Sequence, residues 1–141
     1  MKHILFVCTG NTCRSAMAQA ICNLLAEKSG YEISADSCGV MAGHCPASQN
    51  AVLAVSELYG IDLTQHISKN VSAELVNTAD AIFTMTENHA MALLSLFPEC
   101  RDKLIIAEPP ISDPYMQDLS VYKACARQLY AQIGQRFFGR D

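Results

Sequence analysis

Cys8 and Arg14 are separated by five residues, Thr9-Gly10-Asn11-Thr12-Cys13, and this stretch holds a glycine and an asparagine, the residue types that most readily take unusual backbone angles. A thiol that faces a helix N-terminus and a guanidinium ionises readily and becomes a nucleophile. A guanidinium offers a planar fork that can take two phosphate oxygens together. Backbone N–H groups of a short loop leading into a helix can converge on an anion. Combined at this spacing, these features imply phosphoryl transfer through a phosphocysteine. Asn11 would hold the shape of the cradle from a left-handed backbone conformation. Ser15 can donate its hydroxyl to the Cys8 thiolate and ease its departure in a second step. It also suits the start of a helix in its own right.

Such chemistry needs a proton donor for the leaving group and then a base for water, and one carboxyl can serve both in turn. Asp113 is the candidate. It lies in Glu108-Pro109-Pro110-Ile111-Ser112-Asp113-Pro114-Tyr115, a proline-rich segment suited to a stiff surface loop folded over a site. Asp-Pro is also an ordinary turn signal, so the assignment draws its force from the Cys8 loop. Tyr115 would then wall the substrate slot, and nearby Asp118 reads as a helix cap.

The elements around these residues must put them at one end of a sheet. Ile4 to Val7, with His3 before it, forms a buried strand ending at Cys8, and an amphipathic helix begins around Arg14. Met17, Ala20, Ile21, Leu24 and Leu25 make its stripe, which stops before Gly30. Tyr31 to Ser37 alternates as an edge strand. Pro46 suits a first helical position, and the helix through Val52, Val55, Leu58 and Tyr59 stops at Gly60. Ala81 to Met85 is a second buried strand, Thr86 caps a helix to Phe97, and Leu104 to Ala107 is the last strand. Asp118 opens a closing helix through Tyr122, Cys125, Leu129 and Ile133. Strands alternating with helices predict a single α/β domain over residues 1–141, with a four-stranded parallel sheet and helices on both faces, Rossmann-like or flavodoxin-like. Ligands bind such sheets beyond the carboxyl ends of the strands, where Cys8 falls.

Half of the 141 residues are hydrophobic and 17% are charged, which suits one packed core. A net charge of −4 argues against a nucleic-acid partner, and no apolar run approaches membrane-spanning length. Met1-Lys2-His3 leads straight into a strand, without the composition of a secretory signal. The seven cysteines show no zinc spacing and no Cys-x-x-Cys, so no metal and no organic cofactor is implied. A thiolate nucleophile points to a reducing cytoplasm. Cys22, Cys38, Cys45, Cys100 and Cys125 read as packing or incidental. His3, His44 and His89 receive no role.

Cys8-Thr9-Gly10-Asn11-Thr12-Cys13-Arg14-Ser15 and Asp113-Pro114-Tyr115 together resemble the low-molecular-weight protein tyrosine phosphatases and their relatives, and the likeness runs the length of the chain. The resemblance implies a fold of that family, phosphorylated protein substrates, Cys8, Arg14 and Asp113 as catalytic residues, and a phosphate cradle of Thr9, Gly10, Asn11, Thr12, Cys13 and Ser15. It places Ser37 and His66 as supports around Asn11, although a surface histidine is an equal reading of His66. It also implies that Cys13 can pair with Cys8 in a disulfide that protects the nucleophile; a small buried residue behind the loop fits Cys13 equally.

Substrate choice turns on Thr12. Tyrosine-directed members usually carry a bulky aliphatic residue there, whereas the loop here resembles the bacterial protein arginine phosphatases. A hydroxyl can accept from a guanidinium donor that an isoleucine leaves unpartnered. Ala16, where proline is usual, and Tyr115, more familiar from tyrosine enzymes, keep phosphotyrosine open. Thioredoxin-coupled arsenate reductases share a similar loop but need cysteines after the third strand, and Asp80 to Phe97 has none. A phosphocarrier would have little use for Arg14, Ser15 and Asp113.

Overall fold

β1 (Lys2–Cys8) is the axis of the molecule, and its period of two divides its side chains between two cores. In the computed structural model, which describes residues 1–140, Ile4, Phe6 and Cys8 enter the larger core, while Leu5 and Val7 enter a smaller one on the opposite face. β1 stands between β2 (Ile33–Gly39) and β3 (Ala81–Thr84), and β4 (Leu104–Ile106) completes a parallel sheet in the order β2-β1-β3-β4.

Helices cover both faces, as the alternating pattern predicts. α1 (Arg14–Ser29), α2 (Gln49–Tyr59) and α5 (Leu119–Phe137) close the larger core with Met17, Ile21, Leu25, Val55, Leu129 and Ile133. Each such side chain, fully withdrawn from water, contributes about 1.5–3 kcal/mol of transfer free energy. α3 (Ala73–Thr78), α4 (Glu87–Leu96) and a 3-10 turn over Pro98–Lys103 cover the smaller core through Val76, Leu93 and Cys100. Gly30 and Gly60 end α1 and α2 at φ +73° and +67°, angles that cost a residue with a Cβ. Thr86 and Asp118 accept hydrogen bonds from the amides of His89 and Val121, so both are helix caps as expected.

Several boundaries differ from the sequence reading. Pro46 does not start α2; it bridges Ile67, and Ser48 immediately precedes the helix. β2 lies at the sheet edge but runs from Ile33 to Gly39, because it pairs with β1 along its whole length. β3 and β4 each stop one residue short, at Thr84 and Ile106, and α4 ends at Leu96. α3 is a single short segment with too little apolar repeat to be legible. No helix among the described residues is long and apolar enough to cross a membrane.

The chain leaves β1 to form β2 on one side and returns across it to form β3 on the other. The crevice beyond the carboxyl ends of β1 and β3 is therefore the switch point at which parallel sheets bind ligands.

Candidate active site

The loop from Thr9 to Cys13 is built by sending its carbonyls outward. Cys8 O and Thr9 O accept the amides of Val40 and Met41, each at 3.0 Å, and Thr12 O accepts the amide of Ser48 at 3.0 Å. Asn11 O meets Nε2 of His66 at 2.7 Å. With these carbonyls held by the scaffold, the N–H groups from Gly10 to Ser15 donate to no other group among the described residues. α1 begins at Arg14 without a side-chain cap, so its first orphan donors join them. A short arc of backbone with this polarity is an anion cradle.

Asn11 sets the curvature. Its φ is +59°, a left-handed value that asparagine tolerates better than most side chains. The side chain is fully buried; Nδ2 donates to Ser15 Oγ at 2.8 Å and Oδ1 accepts the amide of Lys69 at 3.0 Å. Gly39, opposite Cys8 in the sheet, allows the loop to lie against β2: a Cβ there would overlap Thr9 O and stand 3.0 Å from both Thr9 C and the Ala42 side chain.

Cys8 lies at the floor of the cradle, 3% exposed, with Sγ 2.8 Å from Ser15 Oγ. Ser15 has one hydroxyl proton and two acceptors within reach, Cys8 Sγ and, at 3.3 Å, Cys38 O. Once Cys8 is a thiolate, the shorter and charged contact takes the proton, and the amide of Asn11 polarises the hydroxyl from behind. Burial pushes the thiols of Cys22, Cys38 and Cys125 up to about 12, which keeps them protonated packing residues. Cys100 is buried as well, and Cys45 is exposed.

Arg14 is buried, and its guanidinium donates to Ile111 O at 3.0 Å. That bond ties the proline-rich segment to the cradle and brings Asp113 Oδ2 to 3.7 Å from Arg14 Nη2. Asp113 Oδ1 is occupied by the amide of Tyr115 at 3.0 Å, leaving Oδ2 turned to the site. The side chain is 54% exposed, open enough to exchange protons with solvent. Tyr115 is exposed on the rim. Cys8, the loop residues Thr9 to Cys13, Arg14, Gly43, Asp113 and Tyr115 enclose a cleft of about 340 Å³.

The fold thus gathers Cys8, Arg14, Asp113, Tyr115 and the whole loop at one cleft, with His66 behind Asn11. Ser37 is a correction: its hydroxyl donates to Gln19 Oε1 of α1 at 2.5 Å and does not reach Asn11, whose side-chain oxygen is taken by Lys69. Cys13 Sγ turns to Ser48 Oγ at 3.3 Å and Tyr122 OH at 3.5 Å, and both Cys8 and Cys13 are free thiols. Among the described residues, Thr12 Oγ1 has that sulfur as its one side-chain partner, at 3.7 Å, and it lines the cleft.

Sequence reading missed Ser48, Tyr122 and above all His89. His89 is 6% exposed, with Nε2 2.9 Å from Thr9 Oγ1 and Nδ1 2.9 Å from Thr86 Oγ1. Burial, and then the neighbouring Arg14 charge, lower its pKa to about 4 against the opposing pull of Asp113, so the ring is neutral. The available signal was position: His89 lies just past the carboxyl end of β3, beside the switch point.

Residues 3–137 match the family model described as low molecular weight phosphotyrosine protein phosphatase. The chain is 35% identical over 140 residues to a protein-arginine-phosphatase of Bacillus subtilis strain 168, covering 94% of this chain and 92% of that one. It also superimposes on a low molecular weight protein tyrosine phosphatase from T. tengcongensis with a TM-score of 0.95 at 36% identity, covering 99% of this chain and 100% of that one. An arginine phosphatase variant carrying a phosphorylated active-site serine superimposes with a TM-score of 0.90 at 33% identity, over 94% of this chain and 91% of that one.

Proposed function

The chain belongs to the low molecular weight protein phosphatases, cysteine-based hydrolases, and from that premise we propose that it hydrolyses phosphoarginine in proteins through a phosphocysteine at Cys8. The observation that carries the chemistry is the arc of uncommitted amides from Gly10 to Ser15 above Cys8, with Arg14 at its edge. The phosphoryl oxygens take these amides and the Arg14 fork, which aligns phosphorus with Cys8 Sγ. The Cys8 thiolate attacks phosphorus, the P–N bond breaks, and Asp113 Oδ2 delivers its proton to the departing guanidine nitrogen. The carboxylate so formed then takes a proton from water as the water oxygen attacks phosphorus. The P–S bond breaks, inorganic phosphate leaves, and Ser15 receives the returning thiolate with its hydroxyl. The phosphorylated active-site serine of the related arginine phosphatase variant supports a phosphoryl group carried on the enzyme. A thiolate at work suits a reducing compartment such as the cytoplasm.

Thr12 supports phosphoarginine over phosphotyrosine. Its hydroxyl lines the cleft with Cys13 Sγ, at 3.7 Å, as its partner among the described residues, and a guanidinium brings donors that need acceptors. Exposed Tyr115 on the rim, and the tyrosine phosphatase among the similar structures, favour phosphotyrosine as the second reading. The test compares kcat/KM for phosphoarginine and phosphotyrosine in matched peptides, in the wild type and Thr12→Ile. Losing one hydrogen bond to a charged group is worth about 1.5–3 kcal/mol, or roughly 10- to 150-fold. Thr12→Ile is expected to lower the phosphoarginine constant and raise the phosphotyrosine constant. A wild type that prefers phosphotyrosine, or a substitution that moves both substrates together, refutes the assignment.

A further inference from the structure

The hydrogen bonds beside the cradle form a chain whose direction can be worked out. Thr86 Oγ1 accepts the amide of His89 at 3.4 Å as the cap of α4, and it also lies 2.9 Å from His89 Nδ1. The other ring nitrogen, Nε2, lies 2.9 Å from Thr9 Oγ1. A neutral imidazole has one donor and one acceptor, so only two orders are open. If Nδ1 carried the proton, Thr86 would accept twice and its own hydroxyl proton would have no acceptor in the chain. Thr9 would then spend its proton on Nε2 and show only lone pairs to the cleft. If Nε2 carries the proton, Thr86 O–H donates to Nδ1 and Nε2–H donates to Thr9 Oγ1. The Thr9 proton is then free to point outward. Each order leaves one hydroxyl proton over, Thr86's in the first and Thr9's in the second, and only the second turns that donor toward a cleft built for an anion.

We propose that His89 is a positioning residue which, oriented by Thr86, holds the Thr9 side chain so that its hydroxyl proton is presented to the bound phosphoryl group. Thr9 is exposed at the mouth of the cleft and follows Cys8 directly; its β-branched side chain has few rotamers, and a hydrogen bond to Oγ1 acts as a restraint that selects among them. His89 supplies that restraint from α4, across the sheet's switch point. Its ring is buried, so water does not compete for Nε2. The Thr9 hydroxyl adds a side-chain donor to the backbone arc, and it depends on an imidazole eighty residues away in the chain. The inference rests on the phosphatase reading of this cleft.

A double-mutant cycle tests it, with kcat/KM on p-nitrophenyl phosphate and the Kd of vanadate as readouts. Thr9→Val removes the hydroxyl at nearly constant volume and is expected to cost roughly 10- to 100-fold in kcat/KM and to weaken vanadate, the range for a donor lost from a charged partner. His89→Leu is expected to cost a similar factor, and Thr9→Val combined with His89→Leu no more than Thr9→Val alone, because the histidine acts through the threonine. His89→Gln, whose amide nitrogen can stand where Nε2 stands, is expected to restore most of the activity. Additive losses in the double variant, or no rescue by glutamine in a folded protein, overturn the relay. Should His89→Leu fail to fold, the glutamine variant and Thr9→Val still decide: a Thr9→Val enzyme with wild-type constants overturns it. A wild type that neither binds vanadate nor hydrolyses the ester overturns the phosphatase reading itself, and the relay with it.

Discussion

Adding one methyl group at Gly39 tests whether the cradle works by the placement of its backbone. Gly39 is paired with Cys8 at the end of the sheet, and a Cβ there would overlap the carbonyl oxygen of Thr9 and stand 3.0 Å from its carbonyl carbon and from the Ala42 side chain. Carbon and carbonyl oxygen ordinarily meet at about 3.3 Å, so the loop backbone must retreat by roughly 1 Å. The retreat acts directly on two of the bonds that anchor the loop, from Val40 to Cys8 O and from Met41 to Thr9 O. Overpacking of this kind costs about 1–3 kcal/mol of stability. For catalysis the same shift displaces the amides that align the phosphoryl group, and a 1 Å misplacement can cost about 100-fold. Gly39→Ala is therefore expected to lose roughly 100-fold in kcat/KM on p-nitrophenyl phosphate while remaining folded at 25 °C. The control is Gly30→Ala, which ends α1 at φ +73° with nothing within 4 Å of the added carbon. It is expected to lose about 1 kcal/mol of stability through its backbone angle and no activity. Thermal melts and steady-state kinetics on both variants give the comparison. If Gly39→Ala keeps its activity to within about twofold, or the two glycines lose activity in step with stability, the argument from loop placement is refuted.

Asp113→Asn is expected to slow hydrolysis by roughly 100-fold or more, the usual range for losing a general acid; across a series of aryl phosphates the loss should shrink as the leaving group improves, and a constant loss would make Asp113 a loop-positioning residue. His89 links stability to pH. Its folded-state pKa of about 4 lies below the ordinary 6.5, so the unfolded chain binds more protons between these values. The protein should lose up to about 3 kcal/mol from this group as pH falls from 6.5 to 4, and no more below that. Urea midpoints at pH 7 and pH 4.5 should therefore fall further apart in the wild type than in His89→Gln; equal differences would show that the ring is not buried neutral.

The amino-acid sequence by itself carried most of what is local, Pro46 excepted. The spacing of Cys8, Arg14 and Ser15, the left-handed Asn11, the caps Thr86 and Asp118, and the stops at Gly30 and Gly60 depend on neighbours a few residues away, and all appear in the structure. The periods of the apolar residues were sufficient for the sheet and for every covering helix except the short α3, because a side chain's face follows from its count along the element. What the sequence could not order was contact between segments far apart. Nothing along the sequence says which loop His89 meets, and Thr9 is its partner only because β3 lies beside β1. Ser37 is opposite Phe6 in register, which sends its hydroxyl to Gln19 of α1 and away from Asn11. Asp113 comes within 3.7 Å of Arg14 because Ile111 O is held by the same guanidinium across 97 positions of chain. Strand order and register decide such pairs, and both are set by packing the whole sheet at once.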